Sequence, residues 1–397
     1  MLDSIYARCA LSSVAILIAG SCERGAADPP PLPVYHLSEE LRIGARDAPD
    51  YSLTEVQGLA VDSRGHIFVL QHQEQRIRQY DADGRFVREI GRRGQGPGEF
   101  TNPMFFGIQQ DTVWVYDYGS SRIHFVAAGG GPTRSVPIPM LVEPGTLGLR
   151  PHHRLADGNL VGYVHATARV AATGPTIPIL LLDPRGESLD TLVRISRRNR
   201  VLVLRNAQNP SSNEIVANQP FSDTPIMVAA PDGRRIFVVE RWAARDEEAE
   251  FAVTSIAPNG DTLWTRRYPF HARRTPETRV DSLVHLWVGV TVPRMWPNPR
   301  QAESGVRALL FLPAFLPTIT AAVATSNGGI WLRREDHVSG TKSRWTVLDS
   351  DGVPAFTVEA PQLLRLFHAD NDHAWGVIQD EDAVPYVVRF ALRPGPS

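Results

Sequence analysis

Short apolar runs separated by turn residues follow one another along most of the chain. The clearest set lies at residues 58–62, 66–70, 76–80 and 85–90. Runs of this length, bounded by Gly and Asp as at Gly65 and Asp83-Gly84, predict β-strands. Four such strands in about 35 residues predict one blade of a β-propeller. We expect the Asp83-Gly84 turn to be of type I′, with positive φ at both central residues.

The same unit of four runs recurs along the rest of the chain. Five further copies follow at residues 107–130, 157–186, 227–260, 321–352 and 364–390. The second copy is displaced from the first by about 46 residues, and such periods are typical of propeller blades. We therefore predict an all-β protein, a six-bladed β-propeller of four-stranded antiparallel blades over residues 35–397. A seven-bladed ring is the alternative, because the third copy is the weakest.

The last copy ends without a clear fourth strand. A run before the first copy, at residues 37–43, is the candidate for that strand. Pairing it into the last blade would close the ring and remove an open sheet edge.

Two stretches interrupt the repeat. Residues 193–222 form a polar insertion. Residues 275–312 have apolar positions at spacings of three and four, which predict a short helical insertion between blades 4 and 5. Pro276 suits the first helical position, and Pro293 is expected to end that helix before a second one at about 301–310. We expect both insertions to extend over one face of the ring.

Composition narrows the class of protein but does not identify an activity. The 32 prolines among 397 residues disfavour long helices and central strands. Lys342 is the only lysine, the net charge is −2 and the pI is near 6.6. Because nucleic-acid binders usually carry a basic stripe and a high pI, we expect no nucleic-acid partner. The only cysteines, Cys9 and Cys22, precede the repeats, so neither disulfides nor cysteine–metal sites can stabilise the repeats.

The first 22 residues have the pattern of an export signal. Arg8 precedes an apolar run at residues 10–20 that is too short to span a bilayer. The run ends in Ala-Gly-Ser-Cys at Cys22, which resembles the lipobox of bacterial lipoproteins. That resemblance implies a signal peptide over residues 1–22 with lipid attachment at Cys22, followed by a flexible tether over residues 23–34. A plain signal peptide cleaved nearby is the alternative.

The junction between the first two copies is rich in glycine. Its sequence at residues 91–100, Gly-Arg-Arg-Gly-Gln-Gly-Pro-Gly-Glu-Phe, closely resembles the inter-blade signature of NHL-type repeats, as does Arg76-Ile77. The chain thus resembles the six-bladed propeller lipoproteins of bacterial envelopes that carry NHL-like repeats, most specifically over residues 35–125. The resemblance implies a fold and an export route, but no activity, because propellers host many functions.

Four acidic segments have residue types found in cation sites. Residues 81–84 and 349–352 place glycine fourth, whereas a calcium-binding EF-hand loop needs it sixth and a glutamate twelfth. We therefore interpret both as hairpin turns. Residues 370–373 and 380–382 could supply oxygen ligands to a divalent cation, but solvated turns are the preferred interpretation.

His152 and His153 are the only adjacent histidines. They lie before a predicted strand of blade 3, and within a strand neighbouring side chains point to opposite faces, so both would not readily bind one metal ion. We keep the pair as a candidate binding feature, with an exposed surface pair as the alternative. No motif predicts a nucleotide or another cofactor.

The helical insertion contains Trp287, Arg294 and Trp296. Aromatic residues and arginine dominate the energetics of protein interfaces, so these three are candidate binding residues. The alternative is that Trp287 belongs to a core and that residues 293–299 form only a rigid connector.

These patterns predict an exported, lipid-anchored protein on the periplasmic or surface side of a bacterial envelope. We expect a monomeric binding module for a protein, peptide or glycan, held to the membrane by its lipid alone. The alternative is a metal-dependent hydrolase or lyase with a divalent cation at the central channel, which requires several polar ligands converging on the axis. A scaffold for envelope assembly is a third possibility and predicts a broad apolar patch. Catalytic residues are not identifiable, because a channel site draws single residues from several blades.

Overall fold

The computed structural model describes residues 31–109, 111–130, 133–138, 149–164, 176–196, 201–204, 215–242, 246–295, 299–339 and 342–395. Cys22 and Trp296 lie outside these residues, so the lipid attachment site and the second tryptophan of the insertion stay predictions.

Six four-stranded antiparallel blades form the body of the protein, as the repeat predicts. Blade 1 contains β2 (Val56–Val61), β3 (Ile67–Gln71), β4 (Arg76–Tyr80) and β5 (Phe86–Ile90). Blade 2 contains β6 (Pro103–Gln109), β7 (Thr112–Asp117), β8 (Arg122–Ala127) and β9 (Arg134–Pro137). Blade 3 contains β10 (Leu149–Arg154), β11 (Leu160–Val164), β12 (Thr176–Leu182) and β13 (Ser188–Ser196). Blade 4 contains β16 (Ile226–Ala229), β17 (Ile236–Glu240), β18 (Glu248–Ile256) and β19 (Thr262–His271). Blade 5 contains β20 (Ile319–Ala324), β21 (Ile330–Ser339), β22 (Lys342–Leu348) and β23 (Pro354–Pro361). Blade 6 contains β24 (Arg365–Ala369), β25 (His373–Gln379), β26 (Pro385–Pro394) and β1 (Val34–Ile43).

The ring is closed by the N-terminal strand, as predicted. β1 pairs antiparallel with β26, from Tyr35 opposite Pro394 to Ile43 opposite Val387. The start of β1 also pairs in parallel with β23, so the sheets of blades 5 and 6 are continuous. The closing strand therefore connects two blades and leaves blade 6 without an open edge.

The hydrophobic core lies between neighbouring blades rather than at one centre. One cluster joins Ile67 of blade 1 to Trp375 of blade 6, and another joins Trp114 of blade 2 to Leu160 of blade 3. The first strand of each blade is the innermost, because first strands of neighbouring blades contact one another at five of the six junctions of the ring. These six strands surround the channel, and we name its two ends by their backbone features. The turn end carries the turns between first and second strands, and the bulge end lies where the first strands begin.

The glycine-rich junction packs blade 1 against blade 2. Phe100 is fully buried between them, and Gly91, with φ of 78°, lies so close that a Cβ atom would sit 2.1 Å from the Phe100 ring. Glu99 accepts a hydrogen bond from the Gly96 amide at 2.9 Å and forms an ion pair with Arg92 at 2.7 Å. These hydrogen bonds hold the pKa of Glu99 below its ordinary value. The motif therefore stabilises the fold and carries no site.

The hairpin turns confirm one prediction and correct another. Asp81 Oδ1 accepts hydrogen bonds from the amides of Asp83 and Arg85, so residues 81–84 form a turn, as expected. The type I′ assignment is wrong, because only Gly84 has positive φ, at 80°. Gly84, the residue in the left-handed region, follows a turn whose central residues do not have positive φ. This pattern is typical of slightly longer hairpin loops.

The two insertions lie at the bulge end. Each connects the outermost strand of one blade to the innermost strand of the next, between blades 3 and 4 and between blades 4 and 5. The first contains the hairpin β14 (Val201–Leu204) and β15 (Ile215–Asn218). The second contains α1 (Glu277–Met295) and α2 (Pro299–Leu309). None of the helices in the described part of the chain is long and apolar enough to cross a membrane.

The helical insertion is confirmed, but its expected end is wrong. Helix α1 continues past Pro293 to Met295, because a proline in the last turn removes only one backbone hydrogen bond. The insertion has a small core of its own, in which Phe221 packs with Val280, Val284 and Val306.

Candidate binding site

Five of the six innermost strands carry a β-bulge at corresponding positions. In each, one extra residue interrupts the pairing with the second strand. The extra residues are Gln57, Met104, His152, Thr320 and Phe367. Bulges re-aim side chains and are over-represented beside active sites, so their repetition around one axis marks the channel as the candidate site.

Four of the bulged strands, β2, β6, β10 and β24, and the end of β16 line an interior cavity of about 270 Å³. Four of the five extra residues line it: Gln57, Met104, His152 and Phe367. The walls also include aromatic rings of β6 and the side chain of Arg154. The cavity is thus mainly apolar with a few polar groups, the composition expected of a ligand site.

The structure corrects the prediction for His152 and His153 in two respects. Both lie within β10 rather than before it, and both line the interior cavity. The bulge at His152 breaks the alternation of the strand, so the neighbouring rings share one cavity, with centroids 6.4 Å apart. His152 also packs on Phe105, with ring centroids 3.9 Å apart.

Two imidazoles of the channel are held neutral by burial. Burial lowers the pKa of His153 to about 4, although its ring borders the water-accessible channel. Burial also lowers the pKa of His368 to about 4, against the opposing field of Asp370. At neutral pH each ring therefore presents one hydrogen-bond donor and one acceptor.

A larger cavity of about 800 Å³ lies at the turn end. All six blades contribute to its walls, through Val61, Ile108, Ala156, Pro231, Ser326 and His368. Four of these residues, Val61, Ile108, Pro231 and His368, also line the interior cavity. We call these four the neck, because they border both cavities.

Four aspartates line the turn-end cavity: Asp62, Asp111, Asp232 and Asp370. Three of them cap hairpin turns through Oδ1, as when Asp62 accepts the amides of Arg64 at 2.9 Å and His66 at 2.8 Å. Asp111 instead lies in the left-handed region, at φ of 57°, and pairs with Arg64 at 3.2 Å. The carboxylates therefore have a structural role, but their convergence on one cavity also gives that cavity a negative field.

The acidic runs of blade 6 lie at opposite ends of their blade. Asp370 caps the turn between β24 and β25, and Asp380 caps the turn between β25 and β26. They are turns, as preferred, and cannot share one cation. Within the described ranges, no three His, Cys, Asp or Glu side chains are grouped to hold a metal ion.

One row of Ser, His and Asp in blade 2 was not noticed in the sequence. Ser135 Oγ lies 2.8 Å from His124 Nδ1, and His124 Nε2 lies 4.0 Å from Asp117 Oδ2. Asp117 is fully buried and accepts the Thr101 amide at 2.9 Å and the Asn102 amide at 2.6 Å. Burial raises its pKa, but these and other hydrogen bonds outweigh burial, so the net pKa is lowered. None of the three residues lines either cavity, so the row stabilises the junction of blades 1 and 2.

Of the predicted residues in the helical insertion, Trp287 is described with its side chain, and it lines neither cavity. Trp287 is half-buried and packs against the insertion's own core. Arg294 lies in the last turn of α1. The exposed apolar residues of this region are Leu286, Leu309 and Leu312.

The channel residues, apart from the histidine pair and Asp370, were missed by sequence reasoning. Bulges have no local sequence signal, so the strand pattern alone could not show that Gln57 and Phe367 face one cavity. The inner turns, which connect the first and second strands of each blade, did carry a signal in the sequence. Aligning the repeats by their turns would have placed Asp62, Asp232 and Asp370 at one end of the axis.

The fold and channel define a six-bladed β-propeller with an axial ligand-sized cavity. Residues 50–143, covering blades 1 and 2, match the family model DUF5128, which is described as a 6-bladed beta-propeller. No curated protein matches the chain.

Among the solved structures that are similar at low identity, one with a TM-score above 0.5 shows the same fold. A member of the duf4221 family from Bacteroides vulgatus is 8% identical, with a TM-score of 0.52, covering 91% of this chain and 99% of that chain. A protein from Bacteroides fragilis is 12% identical, with a TM-score of 0.45 and coverage of 91% and 96%. Virginiamycin B lyase from Staphylococcus aureus is 13% identical, with a TM-score of 0.40 and coverage of 88% and 98%. At these identities the likeness concerns the fold and transfers no activity.

Proposed function

We propose that the protein is an exported, lipid-anchored binding propeller whose ligand enters the channel from the turn end. The ligand is a protein or peptide that inserts a side chain into the turn-end cavity. The observation that carries this proposal is the contribution of all six blades to one cavity of about 800 Å³. A site assembled from six blades is rigid, because each wall residue is held by its own sheet, and rigidity lowers the cost of binding.

The location of this site differs from the sequence-based expectation, which favoured the helical insertion. The insertion lies at the bulge end, and Trp287 contributes to its internal packing. The turn end instead has an open cavity with charged groups at its mouth, including Asp111 and Arg234. An open rim with charged groups over a narrower interior is the usual arrangement of a binding site.

A hydrolase or lyase at the channel is the second candidate. The observation in its favour is the pair of neutral imidazoles, His153 and His368, which line the interior cavity. Neutral imidazoles are potential metal ligands and proton acceptors. Metal analysis of the purified protein tests this candidate. A stoichiometric divalent cation that is lost in a double His153→Gln, His368→Gln variant would favour it.

Blocking the cavity tests the binding proposal. Ser326 is an exposed wall residue in the inner turn of blade 5, so Ser326→Trp places a bulky ring at the mouth without disturbing the core. Asn259→Trp is the control, because Asn259 is exposed in an outer turn at the same end of blade 4. Peptides selected from a random library by the wild-type protein should lose binding to Ser326→Trp and keep binding to Asn259→Trp. Equal binding by both variants, or no selected peptide, contradicts the proposal.

A second experiment tests the lipid anchor. Cys22→Ala should release the exported protein from the membrane fraction, because no thiol is left there for acylation. The matched control is Cys9→Ala, which removes the other cysteine and should leave membrane association unchanged. Membrane retention of Cys22→Ala would reject the anchor.

A further inference from the structure

We propose that the turn-end cavity recognises a cationic side chain, arginine or lysine, presented by the partner. This inference rests on the proposed function and adds the chemical class of the group that enters. It stands on two independent observations, the charge balance of the cavity wall and an unpartnered polar side chain at the neck.

The charge balance of the wall is negative. The four aspartates contribute −4, and the two arginines of the wall, Arg234 and Arg389, contribute +2, which leaves −2. Including the nearest ion-pair partners outside the wall does not change this balance, because Arg64 pairs with Asp111 and Glu40 lies 3.8 Å from Arg389. The cavity therefore attracts a cation, and its partly enclosed shape strengthens that attraction relative to open water.

The inner turns need a hydrogen-bond acceptor but not a negative charge, so they do not by themselves account for the aspartates of the cavity wall. The inner turn of blade 6 uses one acceptor oxygen, Asp370 Oδ1, which accepts the amides of Asp372 and His373. In blade 5 the neutral residue Thr325 supplies it instead, since its Oγ1 accepts the Gly329 amide at 3.0 Å. The second carboxylate oxygen of Asp370 is thus not needed for the turn and can face a ligand.

The second observation is the imidazole of His368. Its side chain lines the neck, and the residue is only 9% exposed. Its ring contacts the edge of Trp375, with centroids 5.0 Å apart, and makes no hydrogen bond to any of the residues that the structure describes. Its ring nitrogens are not among the fully buried polar atoms, so they reach the space of the cavity and are available to a ligand. A neutral imidazole offers an acceptor to an ammonium or guanidinium group, which carries only donors.

The neck and the aspartates border the same space. Asp62 and Asp232 directly follow the neck residues Val61 and Pro231, and Asp370 follows His368 by two positions. A cation held between the neck and the mouth would therefore have an apolar floor, an imidazole acceptor and carboxylates around it. Arg154 lines the interior cavity, and its guanidinium donates to Gln109 Oε1, on the wall of the turn-end cavity, at 2.7 Å. Counting this further positive charge still leaves the balance of the wall negative.

The test uses two compounds of the same shape and different charge. N-acetyl-arginine amide carries a guanidinium, and N-acetyl-citrulline amide replaces it with an uncharged urea. Titration calorimetry or ligand-observed NMR with the purified protein should show the arginine compound binding at least tenfold more tightly. Higher ionic strength should reduce that preference, because salt screens exposed charges.

Matched triple variants locate the effect. The inner variant, Asp111→Asn with Asp232→Asn and Asp370→Asn, removes three charges from the cavity wall and keeps an Oδ1 acceptor in the two turns that Asp232 and Asp370 cap. The outer variant, Asp83→Asn with Asp183→Asn and Asp349→Asn, removes three charges from outer turns at the same end of the ring. The inner variant should lose most of the preference for arginine, and the outer variant should keep it.

The outcomes separate this inference from the proposed function. If both compounds bind equally and Ser326→Trp abolishes both, the channel site stands and cation recognition is wrong. If the arginine compound binds Ser326→Trp and the inner variant as tightly as it binds the wild-type protein, it binds elsewhere and cation recognition by this cavity is wrong, while the peptide selection decides the proposed function. If neither compound binds, cation recognition by this cavity is wrong, while the peptide selection still decides the proposed function.

Discussion

The inner and outer hairpin turns of blade 1 have the same local structure and different surroundings. In the inner turn, Asp62 Oδ1 accepts amide hydrogen bonds at 2.9 and 2.8 Å. In the outer turn, Asp81 Oδ1 accepts the corresponding bonds at 3.0 and 2.8 Å. Gly65 and Gly84 complete the two turns with φ of 81° and 80°. Asp62 borders the turn-end cavity, whereas Asp81 lies between two outer strands.

The hydrogen bonds of each turn depend only on residues close in sequence, whereas the cavity depends on the assembly of all six blades. The same aspartate satisfies the same backbone amides wherever a turn of this type is made. Only the closed ring brings the inner turns together, and so concentrates their charges around one cavity. A property of the cavity should therefore change with substitutions of inner residues and not with those of outer ones.

The largest difference expected between inner and outer positions is in the pH dependence of stability. The pKa of His368 is about 4 in the folded protein and about 6.5 in an unfolded chain. As the pH falls below about 6.5, the unfolded chain binds a proton at this histidine before the folded protein does. The contribution of neutral His368 to the free energy of unfolding is therefore complete above that pH and is lost progressively down to about pH 4. The expected loss for one such histidine is about 2–3 kcal/mol between pH 7 and 4.5.

Urea denaturation of His368→Gln at several pH values measures this effect. Between pH 7 and 4.5, the free energy of unfolding of the variant should fall by about 2–3 kcal/mol less than that of the wild-type protein. The outer control is His271→Gln, because His271 is exposed on the outermost strand of blade 4. That variant should follow the wild-type curve. If the free energy of unfolding changes with pH by the same amount in His368→Gln and in the wild-type protein, the imidazole of His368 is not held neutral by burial.

Much of the fold could be predicted because its signals are local. The blades, the closing strand and the helical insertion each follow from runs of apolar residues and turn residues. The turn type at Gly84 was wrong, because the same Asp-Gly pair fits several hairpin geometries. The end of α1 was wrong, because Pro293 is tolerated in the last helical turn.

The candidate site could be predicted only in fragments, because its geometry depends on closure of the ring. His152 and His153 were noticed as a pair, but strand alternation suggested opposite faces. The bulge that places both on one cavity is a tertiary feature of β10. His368 has no motif around it, and its neutral state follows from burial that only the assembled blades create.

Replacing the glycines of the two turns by alanine should change the stability by an intermediate amount. A Cβ atom at Gly84 would lie 2.8 Å from Leu41 Cδ1 and 3.1 Å from Ile43 Cγ1, both on the closing strand. At Gly65 it would lie 3.2 Å from the Ala82 Cβ. Both positions have positive φ, which costs a residue with a Cβ about 1 kcal/mol.

Gly84→Ala should therefore destabilise by about 2 kcal/mol and Gly65→Ala by about 1 kcal/mol, since only the first also displaces β1. The urea midpoints of the two variants measure the difference. A larger loss for Gly65→Ala would mean that the outer turn does not support the closing strand.

The smallest stability difference should be between Asp62→Ala and Asp81→Ala. Each substitution removes the acceptor of two turn amides and a second partner, which is His66 Nδ1 at 2.8 Å for Asp62 and Arg85 at 3.7 Å for Asp81. Each should therefore cost about 1 kcal/mol. Asp62→Asn and Asp81→Asn should recover most of that loss, because the amide oxygen can replace Oδ1. In contrast, Asp62→Asn should weaken binding of the arginine compound, and Asp81→Asn should not, because only Asp62 borders the cavity. Unequal stability losses for the two alanine variants would contradict the equivalence of the turns. Equal binding by the two asparagine variants would show that closure of the ring adds nothing to the charge of Asp62.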